Sequence, residues 1–281
     1  KCPHRGVELS KGQVVNGHIQ CPFHGFEYDA SGQTTYIPAL GRQGTPPKAI
    51  RAHSYPTYEA EGFIWVWWGD DAPHDLDPPH FFDDIGEGFT YKSVYDPWEA
   101  HYSRVIENQL DVVHLPFVHR TSIGRGGRTV VDGPLVTLED DLMNVWVYNR
   151  RDDGTRARRP KDLPQPSRPP FLQFRFPNIW QNRISDNTRI YLSFTPVDEE
   201  NTLIYMSLYQ NEMRVPDLRQ VVILLGMVST ILILRQDKRV DLTQRPNKTA
   251  VAMDERLSLG DLPIIRDRRQ RRALIEQVGA L

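Results

Sequence analysis

The sequence contains only two cysteines in 281 residues, too few for a framework of disulfides. It contains no Walker loop and no G-x-G-x-x-G motif, which argues against the common phosphate and dinucleotide sites. The net charge of −2 gives no global electrostatic reason to expect nucleic acid or a membrane surface as a partner. The longest apolar run, residues 221–234, is shorter than the roughly 20 residues of a membrane span. We therefore expect no membrane span and place a buried helix or pocket wall in this run.

Both cysteines are followed closely by a histidine. The spacing is C-x-H for Cys2 and His4 and C-x2-H for Cys21 and His24. Two thiolates and two imidazoles suit either zinc or a [2Fe–2S] cluster. Zinc sites with these ligands usually pair cysteine with cysteine and histidine with histidine, so the alternation here disfavours zinc. Metal-bound thiolates fit a reduced, cytoplasm-like compartment better than one disulfide in an oxidising compartment does, so we expect a cytoplasmic protein.

The residues around the two cysteine–histidine pairs repeat, as CPHRG and CPFHG. Glycine permits a tight turn at the same place in each loop, and proline stiffens both. The full pattern, C-x-H-x16-C-x2-H, resembles that of Rieske proteins. The resemblance implies a [2Fe–2S] cluster with exposed histidines, held by Cys2, His4, Cys21 and His24. Since the motif begins at residue 2, we expect the N-terminal part of the Rieske domain to be missing from this sequence.

A second histidine pair follows in the stretch ENQLDVVHLPFVHR. Asn108, Asp111 and His114 are spaced by three, which predicts a shared helix face. Pro116 disfavours helical geometry at the residue before it, and a break there would bring His119 back towards His114. Two histidines and one carboxylate on one face of the metal are the ligands of non-haem Fe(II) oxygenases.

Together, D-x2-H-x4-H and the upstream motif resemble the catalytic subunits of Rieske non-haem iron oxygenases, the ring-hydroxylating oxygenase family. The resemblance implies that His114 and His119 bind mononuclear Fe(II). It also implies a downstream carboxylate ligand, for which Asp237 is the candidate and Asp241 the alternative. In the implied homotrimer, Asp111 would connect the iron to the cluster of a neighbouring subunit. We expect Asn108 to orient a ligand or a water by hydrogen bonding.

The chain is expected to have an α+β fold. A proline- and aspartate-rich connection at residues 70–90 predicts a boundary, which we place between a Rieske domain of residues 1–75 and a catalytic domain of residues 76–281. The resemblance implies a small all-β Rieske domain and a helix-grip-like catalytic domain with an antiparallel sheet and helices. Alternation predicts its strands at residues 129–139, 143–150, 171–183, 189–195 and 202–211.

Two basic segments lie in the predicted catalytic domain. Residues 150–170 lack an apolar period and predict a mobile, solvated loop; an active-site lid and a docking patch for a reductase are the alternatives. The C-terminal stretch IIRDRRQRRALIEQVGAL predicts an amphipathic helix with a basic face, for which a subunit contact is plausible.

The resemblance implies hydroxylation or oxidative demethylation of a largely apolar small molecule. O₂ is the co-substrate, and electrons come from a separate NAD(P)H-dependent reductase, with or without a ferredoxin. The alternatives are a cis-dihydroxylating dioxygenase of aromatic hydrocarbon catabolism and, in a different class, a Rieske electron carrier, which has no use for a second metal set. The candidate pocket residues are Asn178, Trp180, Tyr205, Met206, Leu225 and Met227.

Overall fold

The computed structural model describes residues 1–68, 81–86, 88–213 and 215–279. The chain divides into two compact units, Lys1–Phe81 and Phe82–Leu281. The boundary predicted between residues 75 and 76 lies outside the described residues.

The first unit is a small β-structure. Two cysteine-bearing loops flank its sheet, which has the strand order β1-β2-β3-β4, and a separate hairpin pairs β5 with β6. The turn between β1 and β2 uses Asn16 and Gly17, both at positive φ, as a two-residue hairpin turn requires. The six strands are β1 (Gln13–Val15), β2 (His18–Gln20), β3 (Glu27–Tyr28), β4 (Thr34–Tyr36), β5 (Thr57–Ala60) and β6 (Phe63–Val66).

The second unit is built on an antiparallel sheet. In the described part of this unit the strand order is β7-β13-β12-β11-β10-β9-β8. The predicted α+β class is confirmed, and each predicted strand is present. Residues 171–183 form two strands rather than one, because a turn at Phe176 and Pro177 interrupts them. The strands are β7 (Thr90–Trp98), β8 (Val130–Glu139), β9 (Leu142–Arg150), β10 (Leu172–Arg175), β11 (Ile179–Ser185), β12 (Thr188–Pro196) and β13 (Thr202–Gln210).

Helices cover one side of the sheet. The long helix α3 contacts β13 and β7, and α1 contacts β12, α3 and α4. The buried positions of α3 follow a helical period from Ile223 through Met227, Thr230 and Leu234 to Asp237. The same face that fills the apolar core therefore carries a carboxylate. The helices are α1 (Tyr102–Leu110), α2 (Leu115–Val118), α3 (Pro216–Asp241) and α4 (Leu262–Gly279).

The apolar run belongs to a longer helix than the sequence suggested. By length and composition alone, Leu218–Asp241 could cross a membrane, with a mean hydropathy of 1.8 and 22% of the tested window buried. The argument from the run's shortness therefore does not hold for the whole helix. The same segment ends with two buried aspartates, Asp237 and Asp241.

Both basic segments are held more firmly than expected. The predicted mobile loop is attached to β8, because Arg150 and Arg158 both pair with the buried carboxylate of Asp132. In α4, part of the predicted basic face points inward, since Arg268 and Arg271 pair with the buried Glu107 of α1. These arginines stabilise the contact between helices.

Candidate metal centres and cavity

Two matched loops carry the cysteine–histidine pairs in the first unit. The backbone N–H of Cys2 donates to Val7 O at 2.8 Å, and the Gly6 N–H donates to Cys2 O at 2.8 Å. The second loop repeats both bonds with Cys21 and Gly25 in the equivalent positions. The two glycines have φ of 73° and 71°, the left-handed region that glycine adopts without strain.

Both cysteine side chains are buried and free. Tyr28 Oη lies 3.1 Å from Cys2 Sγ. Burial raises the pKa of the Cys2 thiol, but hydrogen bonds from Tyr28 and from the loop backbone outweigh burial and lower it. Burial and the neighbouring Cys2 raise the pKa of Tyr28, so its hydroxyl stays a donor at neutral pH. The loop thus favours the thiolate that a metal requires.

The two histidines of these loops are exposed. The ring centroids of His4 and His24 are 4.8 Å apart, and His4 stacks on Phe26 at 4.6 Å. Two buried thiolates with two adjacent, exposed imidazoles fit a [2Fe–2S] cluster that has two cysteines on one iron and two histidines on the other. An electron donor would reach such a cluster from the histidine side.

In the second unit, the helix before His114 ends earlier than predicted. Asp111 is the C-terminal cap of α1, with an extended ψ of 122°, so it does not share a helix face with His114. Its Oδ1 accepts hydrogen bonds from the backbone N–H of Val113 at 2.7 Å and of His114 at 3.2 Å, which competes with helix propagation. Pro116 lies in the first turn of α2, where its missing N–H costs nothing. The chain therefore breaks at Asp111 rather than at Leu115.

Three of the predicted iron ligands meet at one point. His119 Nε2 lies 2.9 Å from Asp237 Oδ1, His114 Nε2 lies 3.3 Å from the same oxygen, and the two Nε2 atoms are 3.2 Å apart. Two ligand atoms at right angles, each about 2.1 Å from a transition metal, are separated by about 3 Å. The spacing thus fits a metal bound on one face by two histidines and one carboxylate. Asp241, the alternative, lies outside this cluster.

The charges at this site also suit a cation. Burial opposes protonation of His114, but Asp111 and Asp237 outweigh it and raise the pKa of His114 to about 9. Burial raises the pKa of Asp237, but the adjacent imidazoles of His114 and His119 lower it overall. Asp237 Oδ1 is buried without a hydrogen-bond donor among the described residues. A divalent ion would satisfy this oxygen and replace the proton on the imidazole.

Gln236 orients one of the ligands, a role that the sequence did not predict. Its Oε1 lies 2.8 Å from His119 Nδ1 and accepts a hydrogen bond from Ser122 Oγ at 3.0 Å. A proton held on Nδ1 leaves the Nε2 lone pair of His119 free for metal. Its place next to Asp237 in the sequence was visible, but its contact with a histidine more than a hundred residues earlier was not.

The other two predicted catalytic residues lie near this site. Asp111 Oδ2 is 3.6 Å from His114 Nδ1, and 26% of its side chain is exposed. Asn108 accepts a hydrogen bond from Gln109 at 2.8 Å, and it has no contact with a ligand among the described interactions. Its predicted role in orienting a ligand stays a prediction.

A cavity of about 390 Å³ opens onto the three ligands. Trp180 and Met206, both predicted pocket residues, line it. The other four lie elsewhere: Asn178 donates to Phe194 O in a turn, Tyr205 points to the opposite face of β13 from Met206, Leu225 is 64% exposed, and Met227 is in the core. Only the later turns of α3 reach the cavity, and neighbouring strands supply more of its wall. The lining that prediction missed includes Thr230, Ile233, Leu234, Asn182, Ile190 and Leu192.

Two known protein families match this chain, one in each of its two units. Residues 1–56 match the Rieske [2Fe–2S] domain family. Residues 98–277, more than half of the chain, match the family described as the vanillate O-demethylase oxygenase C-terminal domain. The chain belongs to the Rieske non-haem iron oxygenases.

Several relatives of this Rieske oxygenase have been named. It is 35% identical over 122 residues to the oxygenase component of dicamba O-demethylase from Stenotrophomonas maltophilia, covering 43% of this chain and 35% of that protein. It is 36% identical over 146 residues to a vanillate O-demethylase oxygenase subunit from Pseudomonas sp., covering 50% and 42%. The aligned part spans less than half the length of either relative.

The fold agrees with solved structures of the family. Pseudomonas putida NdmA with caffeine superposes with a TM-score of 0.74 at 22% identity, covering 98% of this chain and 77% of that one. At this identity the likeness shows the fold alone, an α+β arrangement of a Rieske domain and a sheet covered by helices.

Proposed function

We propose that this Rieske oxygenase is the oxygenase component of a multicomponent system. It uses O₂ and electrons from a separate NAD(P)H-dependent reductase, with or without a ferredoxin, to hydroxylate or oxidatively demethylate a largely apolar small molecule. The observation that carries the proposal is the convergence of His114, His119 and Asp237 on a cavity of about 390 Å³. The relatives named as O-demethylases support demethylation in particular.

The protein's own groups have distinct tasks in this reaction. When bound, Fe(II) with the cluster supplies oxygen activation. His114, His119 and Asp237 would hold the ion. Gln236 keeps the proton on His119 Nδ1. The apolar wall holds the substrate and excludes water from the reaction.

Asp111 is proposed to connect the two metal centres between subunits of a homotrimer. Its carboxylate approaches His114 on one side, and part of it stays exposed for a neighbouring chain. We expect Asp111→Asn to keep both metals but to slow reoxidation of the reduced cluster by O₂ in single-turnover measurements at least tenfold, because a charged hydrogen bond between the centres is lost. Light scattering gives the oligomeric state. Reoxidation at the normal rate, or a monomer with full activity, would contradict this role.

The free, buried cysteines and the bacterial relatives support a soluble protein of the reducing cytoplasm.

The first test of the proposed function is iron and acid-labile sulfide per chain on anaerobically purified protein. We expect about three irons and two sulfides, a cluster plus one further ion. Two irons with two sulfides, unchanged after Fe(II) is added, would indicate a Rieske electron carrier instead. The second test is O₂ consumption with a reductase and a methoxylated aromatic compound, with formaldehyde as the product of demethylation.

A further inference from the structure

The outward face of α3 is a stripe of aliphatic side chains that no other described residue covers. Its positions recur at intervals of three and four residues, so they lie along one side of the helix over about 21 Å. Contiguous exposed apolar surface of this kind marks an interaction site. The residues of this α3 stripe, between 38% and 64% exposed, are Leu218, Val221, Val222, Leu225, Val228 and Leu232.

The stripe is surface that remains after the fold is complete. The opposite side of α3 already fills the core with Ile223, Met227 and Leu234, and the helix contacts β13, β7, α1 and α2. A helix at the core of a soluble protein is mostly buried, whereas only 22% of the apolar window of α3 is. Packing within this chain therefore does not account for the apolar character of the outward face.

The way α3 ends shows that the folded helix does not cross a membrane. Asp237 and Asp241 are buried in its last turns. A spanning helix would have to leave the sheet, separate Asp237 from His114 and His119, and carry carboxylates into lipid. An apolar environment can thus be met only along the side of the helix.

Exposed cations continue the stripe towards the C-terminal end of α3. Arg235 and Arg239 follow Leu232 at intervals of three and four, and neither has an ion pair among the described residues. From residue 218 to residue 240 the sequence has a single acid, Asp237, which is buried. The outward face therefore combines apolar and cationic groups without an acid, which suits an anionic lipid surface.

The edge strand beside α3 adds a third cation. Lys92 of β7 lies opposite Leu208 of β13, and Leu208 lies against Gly226 of α3. Since directly opposite residues of antiparallel strands share a face of the sheet, Lys92 is on the helix side. It is exposed and has no ion pair in the described part of the chain.

The composition of the stripe favours lipid over a second protein chain. It consists of leucine and valine alone, whereas the centres of protein interfaces are enriched in aromatic residues and methionine. A second copy would present the same face of α3, with its arginines and without an acid to pair with them. An anionic bilayer offers acyl chains to the stripe and phosphates to the cations.

We propose that the protein docks on anionic membrane surfaces through the outward face of α3. The α3 stripe enters the boundary of the acyl chains, and Lys92, Arg235 and Arg239 lie at the phosphates. The inward face of the same helix lines the cavity, so docking brings the cavity close to apolar compounds dissolved in the bilayer. The inference goes beyond the proposed function, and its test needs no turnover.

The test is flotation of the full chain, loaded with cluster and Fe(II), with lipid vesicles. One set of vesicles is phosphatidylcholine alone, and the other contains about one-third phosphatidylglycerol. We expect the partition coefficient for the anionic vesicles to be at least tenfold higher, and about 0.5 M salt to remove most of this difference. Equal partition into the two vesicles, or no binding to either, would overturn the proposal.

A first pair of variants tests the stripe. Leu225→Gln/Leu232→Gln should lower the partition coefficient for both vesicles at least tenfold, because two aliphatic side chains no longer leave water. The matched control is Leu138→Gln/Leu257→Gln, which changes two leucines that are 38% and 39% exposed outside α3. Binding that survives in the α3 variant, or falls equally in the control, would exclude the stripe as the docking surface.

A second pair tests the charge. Arg235→Gln/Arg239→Gln should lower the partition coefficient for the anionic vesicles at least tenfold and leave that for phosphatidylcholine unchanged. Arg156→Gln/Arg168→Gln, on the exposed basic loop, changes the net charge by the same amount and should have a much smaller effect. Equal losses in the two variants would assign the binding to net charge rather than to this face.

Light scattering without vesicles decides between lipid and a second copy of the chain. Leu225→Gln/Leu232→Gln should keep the oligomeric state and the iron content of the wild type. A smaller assembly in this variant would show that the stripe is a subunit contact and would overturn the proposal. Absence of O₂ consumption contradicts only the oxygenase function, whereas absence of vesicle binding contradicts only membrane docking.

Discussion

The two candidate metal centres of the chain are built in opposite ways. The cluster loops lie within the first 25 residues, are shaped by backbone hydrogen bonds, and leave both histidines exposed. The mononuclear site joins His114 and His119 to Asp237, more than a hundred residues later, and is largely buried. An electron-transfer centre must be reachable by a protein partner, whereas an oxygen-activating centre must exclude water. The difference follows from these tasks.

The two centres also differ in how much charge lies around them. Among the described residues of the first unit no ion pair is found, and a tyrosine hydroxyl supplies the polar contact to Cys2. The second unit buries charge behind its metal site, with Glu107 and Arg268 paired between α1 and α4. Asp241, one helical turn after Asp237, has no partner for either carboxylate oxygen among the described residues. The buried centre thus lies beside charges that the fold must hold in place, so mutations there should affect metal and stability together.

The variant with the largest expected effect should abolish one metal centre and leave the other intact. His119→Ala removes a buried ligand, and the remaining two ligands cannot compensate for its loss. We therefore expect loss of the mononuclear iron and of product formation. The visible and EPR spectra of the cluster should remain, because its ligands are on the first unit. Iron per chain should fall from about three to about two.

The counterpart variant is Cys21→Ser, which should remove the cluster and keep the Fe(II) site. Product formation by His119→Ala, or loss of the cluster spectrum in that variant, would mean that the two centres are not independent in the way their separation in the chain indicates.

A smaller effect is expected at the residue that orients His119. Gln236→Leu removes the acceptor for His119 Nδ1, and such partners typically contribute 10–100-fold to metal affinity. Competition with a chelator, followed by iron analysis, measures the change. Gln236→Glu keeps an acceptor oxygen and should retain most of the affinity, and Gln244→Leu, exposed just beyond α3, is the matched control. Equal iron affinity in Gln236→Leu and Gln244→Leu would mean that other contacts orient His119.

The sequence predicted the cluster more completely than the cavity, and locality explains why. The short sequence segments around Cys2 and Cys21 contain all the residues of the two cluster loops. The alternation of apolar and polar residues predicted five stretches of the sheet. The edge strand β7 was missed because most of its residues are exposed and contrast little in burial. The helix break was placed one turn late, since the hydrogen bonds that Asp111 accepts depend on geometry rather than spacing. Which face and which turns of α3 meet the cavity depend on how the helix packs on β13 and β7, so Leu225 and Met227 were chosen in place of Thr230 and Leu234.

The buried charge of Asp241 gives a pH-dependent prediction. Burial, opposed by Arg104, raises the pKa of Asp241 to about 7, against about 3.9 in an unfolded chain. The stability linked to its protonation is complete below pH 4 and is lost as the pH rises to about 7. Asp241→Asn cannot ionise, so its free energy of unfolding should exceed that of the wild type by about 4 kcal/mol at pH 8, with a smaller difference at pH 5. Urea unfolding at the two pH values measures this; an equal difference at both would assign the effect to packing.

The smallest expected effect lies at the exposed centre. Tyr28→Phe removes one hydrogen bond to Cys2 Sγ, which stabilises the extra negative charge of the reduced cluster. The reduction potential should fall by on the order of 40 mV, the one-electron equivalent of about 1 kcal/mol. Protein-film voltammetry measures the shift, and Tyr36→Phe on the neighbouring strand β4 is the control. Because the phenol keeps its proton at neutral pH, the shift should be the same at pH 6 and pH 8. A shift that differs between these pH values would instead assign the effect to the histidine ligands, which are exposed to solvent in both loops.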